Sequence, residues 1–565
     1  MEFFNEKRLP KSILCLKGYT AQKFLADFIA GITVGLVSLP LAMAFAISSG
    51  LKPEAGIYTA VTAGFLISAL GGSKTQIGGP TGAFVIVVAG IVERHGVDGL
   101  FLCTLIAGAI LIVLGLTGLG SAIKYIPRPV VIGFTNGIAV LIASTQLKDF
   151  FGMRMEQMPG DFVGRVAALM DHWDSVSPVV TLVSSISLLI LVFFRSKVQR
   201  LPGSVFVLFG VTAIAWAFHL PLETIETRFG GISSGLPHFA FPKIRFDLVL
   251  PLLSPALTVA MLGAIESLLS AVVSDRMSGD KHNPNVELVA QGIANLVSPL
   301  FGGLPATGAI ARTATNIRSG AQSPVAGMIH ALTLLAVLVF AAPMARHIPL
   351  AVLSAILMMV SWNMGEWREI PEILKLTGAD IAVWIITFAL TVFADLTVAV
   401  EAGMILAALL YIRKVTATST VSRVTPEYVQ DGFAHSLQTN PITEGIVVFR
   451  IHGPFLFGST DKLQIIDEQL ASLPPVLILR LRNMTAIDAT GLHALESLAV
   501  KLRESGRSLV ICGMRDQPAR LVSQAEFHRH LGDANIQPSF AAALRRAREI
   551  IELPPPCVRS LSERC

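Results

Sequence analysis

The segment IGGPTGAFVIVVAG, residues Ile77–Gly90, is almost wholly apolar in its second half, yet it begins with two glycines and a proline. Proline and glycine both disfavour a helix interior, and a backbone amide without a partner is costly in a lipid bilayer. A broken helix is therefore expected only where protein or a water-filled cavity covers the break. The segment predicts a half-helix inside a membrane protein.

The composition of the whole chain also predicts a membrane protein. Of its 565 residues, 53% are hydrophobic and 15% are charged, and the mean hydropathy is +0.65. Several apolar runs approach the ~20 residues that cross a bilayer core. The net charge of +5 does not lie in a basic stripe interleaved with aromatic residues, so we expect no nucleic-acid partner. The five cysteines show no paired or metal-ligand spacing, and we expect neither a metal site nor a cofactor.

Basic residues cluster between the apolar runs and predict the orientation of the chain. Lysines precede the first run, and Arg413 with Lys414 follows the last one. The positive-inside rule places both groups in the cytoplasm, which requires an even number of spans. If only the long uninterrupted apolar runs are counted, the sequence contains about ten membrane spans. If the shorter or glycine-broken segments are counted as well, the number rises towards fourteen.

A second broken segment matches the first. Gly71-Gly72 precedes SKTQIGGPTGAF, and Gly302-Gly303 precedes LPATGAIARTATNI. Paired short segments in two halves of a chain are typical of inverted-repeat transporters. Two half-helices that start near the membrane midplane would direct free N–H groups at one point and so favour an anion. The alternative is a pair of kinked helices with small residues for close packing.

The character of the sequence changes near residue 415, where the apolar runs end. Short apolar strands (Ile446–Ile451, Val476–Leu481 and Leu509–Cys512) then alternate with segments of helical spacing, which predicts a small α/β domain. The predicted boundaries are an N-terminal segment 1–26, a membrane domain 27–414, a linker 415–440, an α/β domain 441–553 and a tail 554–565.

Four stretches resemble one transporter family. They are LPLAMAFAISSGLKPEAGIY (39–58), GGPTGAF (78–84), NVELVAQGIANLVSPLFGGLPATGAIARTATNIRSGA (285–321) and LRNMTAIDATGLHALESL (481–498). They are similar to the SulP anion transporters, called solute carrier family 26 in animals, whose carboxy-terminal module is the STAS domain. The resemblance implies a polytopic α-helical protein with fourteen spans in two inverted seven-span repeats, here about 27–221 and 251–414. It also implies core and gate domains, a homodimer and no enzymatic activity.

The resemblance implies a substrate site between the third and tenth segments. Carried over by position, the site comprises Ala44, Phe45, Thr81, Gly82, Ala83, Gly308 and Ala309. Arg312 matches a position that is often basic in the family, and a buried arginine beside an anion site is a functional hypothesis. The alternative is an arginine that pairs with a carboxylate or extends to the interface.

Glu266 is the only acidic residue of an otherwise apolar segment, MLGAIESLLSAVVSD, ahead of its terminal aspartate. Such a group predicts a role in ion coupling. In similar sodium-coupled carriers an aspartate at this position acts with hydroxyls one turn on and in the tenth segment. Ser270 supplies the first hydroxyl, but the matching tenth-segment residue is Ile310, which favours a proton over sodium. The alternative is a structural ion pair between Glu266 and Arg312.

In the α/β domain, IDATGL (487–492) occupies the loop where bacterial STAS regulators carry a phosphorylatable serine. Thr490 holds that place and is a candidate regulatory site. The alternative is an ordinary helix start that Asp488 or Thr490 caps. We also expect that a cytoplasmic partner can bind this domain.

Together these features predict a secondary active transporter of small anions in a bacterial inner membrane, with both termini in the cytoplasm. The candidate substrates are C4-dicarboxylates, sulfate and bicarbonate, and the coupling ion is predicted to be a proton. The alternatives are a sodium-coupled bicarbonate transporter, an anion channel or exchanger, and a membrane-tethered signalling protein.

Overall fold

A computed structural model describes residues 9–120, 127–155, 158–197, 203–232, 235–243, 245–394, 396–424 and 442–552. The chain forms two compact units, Met1–Ala407 and Ala408–Cys565. The predicted tail 554–565 lies outside the described residues, as do most of the predicted linker and the first eight residues of the N-terminal segment.

The first unit is helical apart from two very short strands, β1 (Gly78–Gly79) and β2 (Thr307–Gly308). Its helices are α1 (Lys11–Leu16), α2 (Ala21–Ser48), α3 (Pro53–Leu70), α4 (Gly82–Leu116), α5 (Arg128–Phe151), α6 (Phe162–Asp171), α7 (Pro178–Lys197), α8 (Gly203–Ala217), α9 (Ile225–Phe229), α10 (Val249–Ser278), α11 (Pro284–Val297), α12 (Ile310–Arg318), α13 (Val325–Phe340), α14 (Ala342–Ala345), α15 (Leu350–Met364), α16 (Ile370–Ile373), α17 (Gly378–Phe393) and α18 (Leu396–Thr418), the last of which ends in the second unit.

Length and composition identify six helices in the described residues that can cross a bilayer, and shorter apolar helices accompany them. The longest of these, α4, consists of two helical segments that meet at Gly96, where φ is 71°. This left-handed backbone conformation suits glycine and turns the chain there. The helical membrane domain predicted from the sequence is confirmed, whereas the number of fourteen spans stays a prediction.

The first long helix, α2, packs against α13 through two glycines at a spacing of four. A Cβ atom at Gly31 would lie 2.6 Å from the Ala326 carbonyl oxygen, and one at Gly35 would lie 2.8 Å from the Thr333 side chain. Small residues at this spacing let two helix backbones approach closely. This pair of glycines therefore serves packing within the chain.

The second unit contains a five-stranded sheet with the order β3-β4-β5-β6-β7. Its strands are β3 (Thr420–Arg423), β4 (Ile446–Phe455), β5 (Val476–Ile487), β6 (Ser508–Cys512) and β7 (Ile536–Gln537), and its helices are α19 (Gln464–Asp467), α20 (Ala489–Glu504), α21 (Asp516–Gln524), α22 (His528–Leu531) and α23 (Phe540–Glu552).

In this sheet β4 to β7 are parallel, and β3 joins the edge in the antiparallel direction. Apolar side chains cover both faces of the sheet, those of α20 on one and those of α23 on the other. The predicted alternation of strands and helices is confirmed. The segment 415–440, predicted as a linker, contains β3, whose short alternating sequence TVSR gave no separate strand signal.

Candidate functional site

The two broken segments meet at the centre of the first unit. Strands β1 and β2 pair in the antiparallel direction, with Gly78 opposite Gly308 and Gly79 opposite Thr307. All four residues are buried. We call this pairing the crossing. It supplies the backbone partners that a break within the membrane requires.

Each strand of the crossing leads into a helix. Thr81 is the N-cap of α4, and Ala309 is the N-cap of α12. Pro80 precedes the cap of α4 and so lies outside the helix. It cannot donate an amide bond there, and its carbonyl oxygen instead accepts a hydrogen bond from Arg312. The crossing thus brings together the N-termini of two helices.

The backbone amides that precede α12 are already bonded. The Gly308 amide donates to the Ser267 hydroxyl at 3.1 Å, and the Ala309 amide donates to the Ile77 carbonyl at 2.8 Å. The next amides, of Ile310 and Ala311, belong to the first helical turn and have no acceptor within the helix. Both residues are exposed, so these amides rather than that of Gly308 are the donors suited to a ligand.

Glu266 of α10 lies beside the start of α4. The Thr81 hydroxyl donates a hydrogen bond of 2.8 Å to a carboxylate oxygen of Glu266. Thr81 makes no capping bond with its own helix, so its hydroxyl is committed to the carboxylate. Both residues are partly exposed.

Arg312 is held in a different way. Its side chain is 3% exposed, and one guanidinium nitrogen donates to the Pro80 carbonyl. Among the described residues no direct ion pair joins Arg312 to Glu266, so the alternative of a structural pair between them does not match the geometry. The crossing therefore carries a positive and a negative side chain that make separate hydrogen bonds.

The hydroxyls expected for ion coupling make structural bonds instead. The Ser270 hydroxyl lies 3.0 Å from that of Thr313, which also accepts a 3.0 Å bond from the Ile77 amide. One turn earlier, the Ser267 hydroxyl lies 2.7 Å from that of Thr307. These bonds fix α10 to β2 and α12, and the Ser270 hydroxyl is engaged with Thr313 rather than with Glu266.

The carried-over residues of α2 and α4 lie in apolar surroundings. A Cβ atom at Gly82 would lie 3.4 Å from the Phe45 ring, which brings Phe45 to the start of α4. Ala83 is fully buried, and Ala44 lies in an apolar cluster with Leu334. The structure therefore places Phe45 against the helix start, and Ala44 lies in the same apolar cluster as Phe45 and Val85 of α4.

Comparison with known proteins identifies the family. The model of the sulfate permease family matches residues 24–387, and the model of the STAS domain matches residues 439–543. The chain belongs to the sulfate permease family. This is a family of multi-pass membrane transporters and not of enzymes, and it includes bacterial proteins.

Two curated relatives cover nearly the whole chain. A "Putative sulfate transporter YvdB" of Bacillus subtilis is 40% identical over 523 residues, which are 91% of this chain and 96% of the relative. A "Bicarbonate transporter BicA" of Synechocystis is 30% identical over 533 residues, with 92% and 94% of the two chains covered. Both relatives are named as transporters of small oxyanions.

Solved structures show the same architecture. The transmembrane domain of a cyanobacterial bicarbonate transporter BicA matches with a TM-score of 0.59 at 32% identity and covers 69% of this chain and 98% of its own. Murine Slc26a9, an anion transporter in an inward-facing state, matches with a TM-score of 0.85 at 18% identity, with 97% and 95% covered. The predicted fold, a helical membrane domain followed by a STAS domain, is confirmed.

The candidate regulatory residue of the STAS domain lies at the start of α20. Thr490 is exposed in the first helical turn, and the Asp488 carboxylate accepts the Gly491 amide at 2.7 Å as the cap. The other Asp488 oxygen accepts the Phe457 amide at 3.0 Å. Asp488 thus performs the capping, and the Thr490 hydroxyl is open to solvent. Its regulatory role stays a prediction.

Sequence reasoning missed the serine face of α10. Ser267, Ser270 and Ser274 recur at intervals of three and four, which places them on one side of an apolar helix. This periodicity was available in the sequence and indicates a face that bonds to polar backbone. The local sequence carried no signal of their partners, because the segment before β1, the strand β2 and α12 reach this face from distant parts of the chain.

Proposed function

We propose that the chain is a secondary active transporter that binds a small oxyanion at the crossing. The candidate substrates are sulfate, bicarbonate and C4-dicarboxylates. The observation that supports the proposal most is the meeting of two helix N-termini beside one buried arginine. Helix N-termini carry partial positive charge and unbonded amides, and a buried arginine adds a full charge.

We further propose that a proton on Glu266 accompanies the anion. An ionised Glu266 would repel an anion at the crossing, and two unit charges ~4 Å apart at an effective dielectric constant of 20 interact by about 4 kcal/mol. A proton on the carboxylate removes this repulsion, so the anion and the proton bind together. A hard cation such as sodium would require several oxygen ligands, but the nearby hydroxyls of Ser270 and Thr313 already bond to protein atoms.

Transport by reconstituted protein tests the substrate site. Counterflow in proteoliposomes with labelled sulfate, bicarbonate and succinate, run side by side, identifies the anion. We expect Thr81→Leu and Ala309→Trp to abolish uptake, because each places bulk at a helix start. Leu189→Trp on the exposed face of α7 is the matched bulky control and should transport normally. Full uptake by both site variants would refute the site.

The same vesicles test the coupling. We expect accumulation of the anion against its gradient, driven by an inward proton gradient, which a channel cannot produce. Glu266→Gln should remove the stimulation of anion uptake by acid. Sodium should have no effect on uptake by the wild type. A Glu266→Gln variant that keeps full acid stimulation would contradict the proton role, and stimulation by sodium would favour sodium coupling instead.

We propose in addition that the protein is a homodimer of the inner membrane with both termini in the cytoplasm. The lysines before α2 and the Arg413-Lys414 pair near the end of α18 support this orientation through the positive-inside rule. Labelling of cysteines at the two termini of the protein, in intact cells, tests this orientation. Labelling of either terminus from outside would contradict the orientation.

A further inference from the structure

The side of the crossing that faces α3 and α13 contains polar atoms without protein partners. In the described residues, Arg312 Nη1 and both ring nitrogens of His330 have no hydrogen-bond partner. The two side chains are 3% and 0% exposed. Buried polar atoms in proteins nearly always bond to protein or to ordered water, because an unmade bond costs ~1–3 kcal/mol. These nitrogens therefore require a partner.

The geometry brings the two side chains to one small part of the crossing. A Cβ atom at Gly79 would lie 2.8 Å from Arg312 Nη1. A Cβ atom at Gly64 of α3 would lie 3.0 Å from the carbonyl oxygen of Gly78 and 3.8 Å from Cε1 of His330. Gly78 and Gly79 are adjacent, so Arg312 Nη1 and the His330 ring both lie near the same short stretch of backbone.

Other partners fit this space poorly. The Gly327 carbonyl lies near the His330 ring but without the geometry of a hydrogen bond. The described residues contain no group of histidine, cysteine or carboxylate side chains that could hold a metal ion. A buried water needs two to four polar partners, and Arg312, His330 and the Gly78 carbonyl supply three.

We propose that His330 is a positioning residue for Arg312 and acts through an ordered water that also donates to the Gly78 carbonyl. The inference rests on the proposed anion site. The Pro80 carbonyl holds the guanidinium from one side, and the water and His330 hold it from the other. Arg312 is thereby fixed with its charge at the crossing. A sequence reading assigns a lone histidine on an apolar helix to the core and misses this role.

Substitution of His330 tests the proposal in the full-length protein. His330→Leu fills the same volume without a polar atom, whereas His330→Gln can bond to the same water. We expect His330→Leu to raise KM for anion uptake about tenfold, the equivalent of one lost hydrogen bond to a charged group. Vmax should stay within about twofold, because the interaction is uniform in the ground and transition states. His330→Gln should restore KM to within about twofold.

Three controls separate this role from a structural one. Leu332→Ala on the exposed face of α13 should leave KM unchanged. In an Arg312→Gln background, His330→Leu should have no further effect on KM, because its action passes through the arginine. A tenfold effect that persists in this background, or a His330→Gln variant as impaired as His330→Leu, would overturn the proposal.

A high-resolution cryo-EM map of the wild-type protein gives a test that does not depend on how the variants fold. We expect density for a water within hydrogen-bond distance of Arg312 Nη1, a His330 ring nitrogen and the Gly78 carbonyl. A space without such density overturns the inference. Failure of the anion site itself is distinguishable: in that case Arg312→Gln transports with a wild-type KM, whatever the result for His330.

Discussion

The substitution Gly79→Ala is a direct test of the crossing. Gly79 has a φ of 146°, a region that side-chain-bearing residues rarely adopt. The added Cβ would also lie 2.8 Å from Arg312 Nη1 and 3.5 Å from the Ala60 Cα, and Cβ contacts under 3.0 Å do not occur without displacement. The variant therefore strains the strand and displaces the arginine at once.

The backbone strain and the displacement of Arg312 each cost a few kcal/mol at most. A residue held in a sparsely populated backbone region costs ~1–3 kcal/mol. Displacement of Arg312 breaks its bond to the Pro80 carbonyl, and a hydrogen bond to a charged group contributes ~1.5–3 kcal/mol. The two costs act on the same structure and are not fully additive. A loss of about 3 kcal/mol at the anion site corresponds to roughly a 100-fold fall in apparent affinity.

The assay compares Gly79→Ala with Gly90→Ala, which lies within the same helical segment as the start of α4. A Cβ at Gly90 meets nothing within 4 Å, so this variant should keep transport and gain up to ~1 kcal/mol of helix stability. Initial uptake at low anion concentration and the anion-induced rise in Tm are measured for both. Gly79→Ala with wild-type uptake and a wild-type rise in Tm would refute the geometry of the crossing.

Three further outcomes are expected elsewhere in the chain. Asp27→Asn should lower the free energy of unfolding by about 2 kcal/mol and reduce Tm in detergent, because the buried carboxylate accepts bonds from the Ser323 amide and hydroxyl. An unchanged Tm would contradict this prediction. Glu287→Leu should lower the free energy of unfolding by a similar amount and also reduce Tm, since Glu287 accepts a hydrogen bond from the Gly72 amide at 2.9 Å. A Tm equal to that of the wild type would argue against this structural role of Glu287. Burial raises the pKa of the Cys512 thiol to about 12 from 9.0, which lowers the fraction of reactive thiolate at pH 8. Alkylation of Cys512 in the folded protein should therefore be roughly 1,000-fold slower than in urea. Rapid labelling of Cys512 in the folded protein would disprove this prediction.

The local features of the site could be predicted from the sequence, and the distant ones could not. Glycine, proline and threonine at residues 78–82 identify a helix break, because their effects on the backbone are local. The break at 307–309 follows from the same residue types. That the two breaks pair with each other was an inference from their similarity, and it agrees with the strand pairing of Gly78 with Gly308.

The tertiary partners depend on packing that periodicity does not encode. Arg312, more than two hundred residues along the chain, donates to the Pro80 carbonyl, and no local pattern around Pro80 indicates this bond. The missing tenth-segment hydroxyl at Ile310 pointed away from sodium, yet Thr313 one turn later brings a hydroxyl to Ser270. Sequence position alone did not reveal which hydroxyls were already bonded.

The separate anchoring of Arg312 and Glu266 would let the proposed site hold an anion beside a carboxylate. If the two side chains formed a pair, an anion would have to compete with Glu266 for the guanidinium, and the pair would lose its favourable interaction upon binding. The Pro80 carbonyl and the Thr81 hydroxyl instead hold them from adjacent positions of the chain. In the proposed site, an anion would therefore not have to displace Glu266 from the arginine. A change in the charge of Glu266 would then alter the affinity for the anion without dismantling the site, which is the property that coupling to a proton requires.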